Sequence, residues 1–192
     1  MQFKEFALHI DILKALEKLH YEQVLPIQEQ VIPEILKGRD VIVRSRTGSG
    51  KTASFAIPIV QELIWEEREP QAIILTPTRE LALQIKEDFD NIGAYRRIKT
   101  VAIFGKQPYK FQIQDLKQRA HVVVGTPGRI LDHLERETLK TGHIRYVIID
   151  EADEMLNMGF IESVQSIFNY FPGNKITCLF SATMPQPIQE LA

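Results

Sequence analysis

Two short stretches carry residue types that phosphate chemistry requires. The first is Ser45-Arg46-Thr47-Gly48-Ser49-Gly50-Lys51-Thr52, set between a β-rich run and a helical pattern. Gly48 and Gly50 let a backbone approach phosphate oxygens. The helix start turns N–H groups and a positive dipole end toward them, and Lys51 reaches the β- and γ-phosphates. Thr47 and Ser49 complete the cradle, and Thr52 offers a hydroxyl to Mg²⁺. Ser45 stands where the general GxxxxGK[ST] pattern has glycine, so the strand–loop–helix context carries the assignment. The second stretch, Ile148-Ile149-Asp150-Glu151, delivers Asp150 at the end of an apolar run, where it can hold a metal directly or through water. Glu151 beside it can orient or deprotonate an attacking water. Alone, such an acid pair equally suits a helix cap.

The elements that must position these residues follow from periodicity. Apolar, β-branched runs at 40–45, 72–76, 100–104, 121–125, 146–150 and 176–180 alternate with helical patterns at 51–67, 79–92, 110–119, 129–137 and 162–170. Alternation of this kind predicts an α/β fold, a mostly parallel sheet with helices on both faces, and ligands gathered at the carboxyl ends of the strands. Two further helices are expected at 10–19 and 27–36, the second containing Pro33. No repeat or linker divides the chain, so 1–192 is expected to be one domain, with a helical region at 1–38 and a core at 39–192.

Composition narrows the function classes. Hydrophobic residues make up 44% and charged residues 25% of 192, the balance of a globular chain. Cys178 is the single cysteine and cannot form an internal disulfide; a buried, inert thiol in a reducing cytoplasm is expected. No apolar run approaches the ~18 residues a membrane span needs, and the five histidines lack metal-ligand spacing. The net charge of −2 hides an asymmetry: residues 93–129 hold eight Lys and Arg against Asp115 alone. Such a basic segment suits a phosphate backbone, although it also suits a solvated helix face.

From Asp150-Glu151-Ala152-Asp153 outward, the chain resembles the first RecA-like domain of DEAD-box RNA helicases over nearly its whole length. Pro77-Thr78-Arg79-Glu80-Leu81-Ala82 is similar to that family's motif Ia, Thr126-Pro127-Gly128-Arg129 to motif Ib, and Ser181-Ala182-Thr183 to motif III. Wording around residues 86–88 and 154–160 resembles the bacterial DbpA-type subfamily, which acts on ribosomal RNA. The resemblance implies ATP and Mg²⁺ as ligands and RNA as partner; no membrane association is expected from the composition, and the oligomeric state is left open, a monomer being the default. The resemblance also implies that Pro77, Thr78, Arg79, Gly105, Thr126, Gly128 and Arg129 contact one RNA strand. Loops presenting amides, hydroxyls and arginines suit that task without reading bases.

The family's Q motif resembles Tyr21 through Gln28, with Phe3 at its upstream aromatic position. A glutamine amide can accept from adenine N6 and donate to N7, and Tyr21 can stack on the base. Tyr21 and Phe3 also fit plain core packing. Asp153, Ser181 and Thr183 would couple nucleotide state to RNA through hydroxyl–carboxylate bonds. The chain departs from the family's pattern at His20 and Lys106 (usually glycine), Val24-Leu25 (Pro-Thr) and Arg46 (Gln).

The last expected helix, carrying Ile188 and Leu191, reaches the end of the sequence. Similar helicases continue into a second RecA-like domain bearing arginine fingers worth ~10³–10⁵ in rate. The expectation is therefore weak adenine-nucleotide binding and almost no hydrolysis by residues 1–192 alone. Two other readings stay open: a self-sufficient P-loop kinase or GTPase, and a non-catalytic RNA-binding scaffold.

Overall fold

The computed structural model describes residues 2–46 and 48–191. Six strands form one all-parallel sheet: β1 (Val41–Arg44), β2 (Ala72–Leu75), β3 (Thr100–Ile103), β4 (Val122–Gly125), β5 (Tyr146–Ile149) and β6 (Ile176–Ser181). Their spatial order is β1-β6-β5-β2-β4-β3. Nine α-helices connect them among the described residues: α1 (Ile10–Lys18), α2 (Pro26–Leu36), α3 (Lys51–Glu62), α4 (Arg79–Ile92), α5 (Tyr109–Lys117), α6 (Pro127–Glu135), α7 (Ala152–Asn157), α8 (Ile161–Phe168) and α9 (Gln186–Leu191). None is long and apolar enough to cross a membrane.

The period of two in each strand divides the core. Ala72 and Ile74 join Val122, Val124, Ile148 and Phe180 on the face covered by α1–α4. Ile73 and Leu75 join Val123, Val147 and Ile149 on the face covered by α5–α9. Strands β2, β4 and β5 are buried on both faces, which is why they read as unbroken apolar runs. The N-terminal helices belong to the first core, through Ile12 and Leu16 of α1 and Val31, Ile32 and Ile35 of α2. Pro33 sits inside α2 without ending it; those three apolar side chains, buried at 5% exposure or less, outweigh the lost N–H. Cys178 is fully buried in the same core, which pushes its thiol up to about 12.

Most element bounds agree with the periodicity to within about two residues; the end of α3 and the whole of α7 do not. The helix expected over 51–67 stops at Glu62 because Leu63 turns extended and buries its side chain. The Gln71 amide then takes both backbone groups of Ile64, accepting from its N–H at 2.9 Å and donating to its carbonyl at 2.8 Å. Helix α7 went unpredicted; at six residues it is too short for a periodic pattern to register.

Candidate functional site

The strand order segregates the predicted residues. At one side of the carboxyl edge, β1, β6 and β5 end in the glycine loop, Ser181-Ala182-Thr183 and Asp150-Glu151. At the other side, β2, β4 and β3 end in Pro77-Thr78-Arg79, Thr126-Pro127-Gly128-Arg129 and Gly105-Lys106. Cross-strand bonds hold these ends in register: Ser45 N–H donates to Ser181 O, Asp150 N–H to Leu75 O, and Thr126 N–H to Ile103 O, each at about 3 Å.

On the first side lies a cleft of about 330 Å³ lined by Tyr21, Gly48, Gly50, Lys51, Thr52, Asp150 and Glu151. Gly48 and Gly50 take positive φ of 76° and 84°, the backbone turn that glycine adopts at low cost. Ser49 Oγ donates to Arg46 O at 2.9 Å, bracing the loop, while the Arg46 side chain is exposed. Thr47 lies outside the described residues. Lys51 opens α3, and its Nζ stands 3.7 Å from Asp150 Oδ1 with both side chains nearly excluded from solvent. Burial raises the Asp150 carboxyl to about 6 against the opposing charge of Lys51. A cation and a carboxylate are thus held together in the position where a phosphate and its metal would each find a ligand.

Glu151 adopts the left-handed conformation, φ 55° and ψ 51°, rare for a residue with a side chain and typical of functional sites. Its N–H donates to Asp150 Oδ1 at 3.0 Å. Asp153, two residues on, accepts from both the N–H and the hydroxyl of Thr183 at 2.9 Å. Its own N–H donates to Ser181 Oγ at 3.1 Å. Burial would raise the Asp153 carboxyl, but the bonds from Thr183 outweigh it and hold the group below its ordinary range.

Gln28 is buried at the start of α2, where its Oε1 accepts from Leu25 N–H at 2.9 Å and its Nε2 donates to Gly50 O at 3.3 Å. It therefore latches α2 to the glycine loop, and each end of the amide has one further bond to give. Tyr21 reaches the cleft half-buried. Phe3 lies behind it in the core, with ring centroids 6.1 Å apart.

The cleft is also lined by Leu81, Gln84 and Asp88 of α4, none of which the sequence assigned to the nucleotide site. They fall three and four residues apart on one face of α4, a spacing visible in the sequence but masked by the apolar stripe of Ala82, Ile85 and Phe89. Partial burial, then the charge of Glu87, pushes Asp88 up to about 6.

On the second side, Thr78 caps α4 by accepting from Leu81 N–H at 3.2 Å, and Arg79 stacks on Phe104 at 4.9 Å. Pro77 is buried, while Gly105 and Gly128 are exposed. Thr126 caps no amide with its side chain. Arg129 turns inward: Nη1 donates to Gln107 O at 2.8 Å and Gln112 Oε1 at 3.1 Å, and its guanidinium lies 4.1 Å over the Tyr109 ring. The departures at His20 and Lys106 share one explanation. Both take left-handed backbone, φ 58° and 63°, so the turn is kept without glycine at a cost of roughly 1–2 kcal/mol each.

Comparison with known proteins places this arrangement. The family described as DEAD/DEAH box helicase matches residues 25–191. The ATP-dependent RNA helicase DbpA of Bacillus subtilis is 54% identical over 190 residues, covering 99% of this chain and 40% of that protein. The DEAD-box ATP-dependent RNA helicase CshA of Geobacillus kaustophilus is 47% identical, with 99% and 41% covered. The crystal structure of a DEAD box protein from Methanococcus jannaschii superposes with a TM-score of 0.97 at 46% identity, covering all of this chain and 53% of that one. The chain thus spans about two fifths of the length of these curated relatives.

Proposed function

Because the chain belongs to the DEAD/DEAH box helicase family, we propose that it is the nucleotide-binding, RecA-like half of an ATP-dependent RNA helicase that remodels short RNA duplexes. One observation carries the reading. Lys51, Asp150 and Glu151 meet the glycine loop in a single cleft, while the loops suited to a phosphate backbone occupy the neighbouring strand ends of the same sheet edge.

In this reading the amides of the 48–52 loop and Lys51 bind the β- and γ-phosphates. Thr52 and Asp150 fit Mg²⁺, since both bring oxygen ligands to the mouth of that loop. The bound ion would neutralise charge on the transferring phosphoryl group. Lys51 leaves Asp150 for phosphate, and Glu151 accepts a proton from the attacking water. Gln28 reads adenine with the remaining donor and acceptor of its amide, and Tyr21 covers the base. RNA lies across Pro77, Thr78, Arg79, Gly105, Thr126, Gly128 and Arg129. In this reading Asp153, Ser181 and Thr183, bonded to one another at the ends of β5 and β6, couple nucleotide state to RNA binding.

Closure over RNA needs a second RecA-like domain to supply arginine fingers, so residues 1–192 alone bind adenine nucleotide weakly and turn it over negligibly. The expected setting is the cytoplasm. Lys51→Ala in the full-length protein tests the reading: duplex unwinding should vanish. Unwinding that survives the change would identify a scaffold with a vestigial nucleotide site.

A further inference from the structure

Between the loops that follow β3 and β4 lies a buried polar cluster that nucleotide chemistry does not use. Gln112, on α5, is 1% exposed, yet its amide is saturated. Nε2 donates to Phe104 O at 2.8 Å and Gln107 Oε1 at 3.1 Å. Oε1 accepts from Arg129 Nη1 at 3.1 Å and lies 3.0 Å from His133 Nε2. The opposite amide orientation is excluded chemically, because it would set NH₂ against a guanidinium and oxygen against the Phe104 carbonyl.

His133, on α6, is fully buried, with Nδ1 2.8 Å from Thr138 Oγ1. Burial first, then the charge of Arg129, pushes it down to about 4, so the ring is neutral at pH 7. Gln112 Oε1 can only accept, which fixes the proton on Nε2 of the neutral ring and leaves Nδ1, at 2.8 Å, to share the single Thr138 hydroxyl proton with the His133 carbonyl at 3.1 Å. A leucine at position 112 would fill the same space without needing partners. Four satisfied bonds on a buried amide therefore specify geometry rather than bulk packing.

The cluster joins parts that are separate in sequence. Phe104, whose carbonyl Gln112 holds, is also the ring beneath Arg79. Arg129 crosses from α6 to the Gln107 carbonyl, and its guanidinium covers Tyr109 of α5. Three loops, after β2, β4 and β3, are thereby fastened at adjacent strand ends.

We infer that Gln112, backed by neutral His133, is a positioning residue that locks the 104–108 loop to the 126–129 loop as one preformed bracket for the sugar-phosphate backbone of an RNA strand. The inference rests on the assignment of these loops to RNA. Its physical content is pre-organisation: exposed amides at Gly105 and Gly128 bind phosphate well only if they need no ordering when the strand arrives.

The test is fluorescence anisotropy of a labelled single-stranded oligouridylate with the full-length protein at low salt, with binding of ATP and Mg²⁺ measured in parallel. Gln112→Leu should weaken RNA binding about tenfold and leave nucleotide affinity within about twofold, as lost pre-organisation at one site only requires. Gln112→Glu keeps the acceptor for Arg129 and His133 but loses both donated bonds, and should fall between. Unchanged RNA affinity in Gln112→Leu, or equal losses of RNA and nucleotide, would overturn the inference. Failure of the unsubstituted full-length protein to bind RNA would overturn the RNA assignment itself, and this inference with it. Should Gln112→Leu not fold, amide hydrogen exchange on the unsubstituted full-length protein decides: RNA should protect 105–107 and 126–129 along a single binding curve. Protection of one loop alone, or two separate curves, would refute the bracket.

Discussion

Two glycines of the phosphate loop share a backbone conformation but not their surroundings, and replacing each with alanine separates strain from contact. Both lie at positive φ, 76° for Gly48 and 84° for Gly50, where a side chain costs ~1–2 kcal/mol. A Cβ at Gly48 meets nothing within 4 Å, whereas one at Gly50 falls 2.6 Å from Leu25 Cδ1 and 2.8 Å from Gln28 Nε2. Leu25 is exposed and can swing away; Gln28, 3% exposed, cannot move without breaking its bonds to Leu25 N–H and Gly50 O. Each such bond contributes ~0.5–1.5 kcal/mol. Gly48→Ala should therefore destabilise the chain by ~1–2 kcal/mol and Gly50→Ala by ~2–5 kcal/mol, measured by urea unfolding at one pH. In a Gln28→Ala background the Gly50→Ala cost should shrink to that of Gly48→Ala, since the obstructing amide is gone. Equal costs for the two glycines, or simple additivity with Gln28→Ala, would refute the claim that helix α2 is latched onto the loop.

Other consequences are testable alongside. Asp88 carries a carboxyl raised from 3.8 to about 6, so the folded state holds its proton more tightly. Stability from this group is full below pH ~4 and declines as pH rises through ~6. Full burial would make that shift worth ~3 kcal/mol, and partial exposure reduces it to ~1 kcal/mol. The unsubstituted chain should lose about that much relative to Asp88→Asn between pH ~4 and ~7 in denaturant titrations; parallel curves would exclude it. Among the described residues Ser45 Oγ is buried with no hydrogen-bond partner, so Ser45→Ala should be neutral or stabilising by up to ~1 kcal/mol, and a loss beyond ~1 kcal/mol in melting experiments would contradict this. Thr183→Val removes a hydroxyl bond that depresses the Asp153 carboxyl. Its pKa, followed by NMR, should rise, and an unmoved titration would show that the hydroxyl contributes nothing.

The fold was legible because its signals were redundant. Each of the six strands is an apolar, β-branched run at a carboxyl edge, and the glycine loop and acid pair punctuate two of them. What escaped was settled by long-range contacts. The end of α3 depends on the Gln71 side chain meeting Ile64. The inward turn of Arg129 depends on Gln107, Gln112 and Tyr109 from another element. Asp88 and Gln84 face the cleft only because β2 lies beside β5 in the sheet. Sequence showed that His20 and Lys106 depart from glycine; only backbone dihedrals show that the turns persist.

The central claim is that the cleft bounded by residues 48–52 and 150–151 accepts a nucleoside triphosphate, with adenine toward Gln28. Calorimetric titration of the chain with ATP and with GTP, each with Mg²⁺, addresses it directly when repeated on Lys51→Ala. The account predicts measurable ATP binding, GTP binding weaker by about tenfold or more as expected where a site hydrogen-bonds one base edge, and loss of both in Lys51→Ala. Equal affinity for the two nucleotides, or ATP binding indifferent to Lys51, would contradict it.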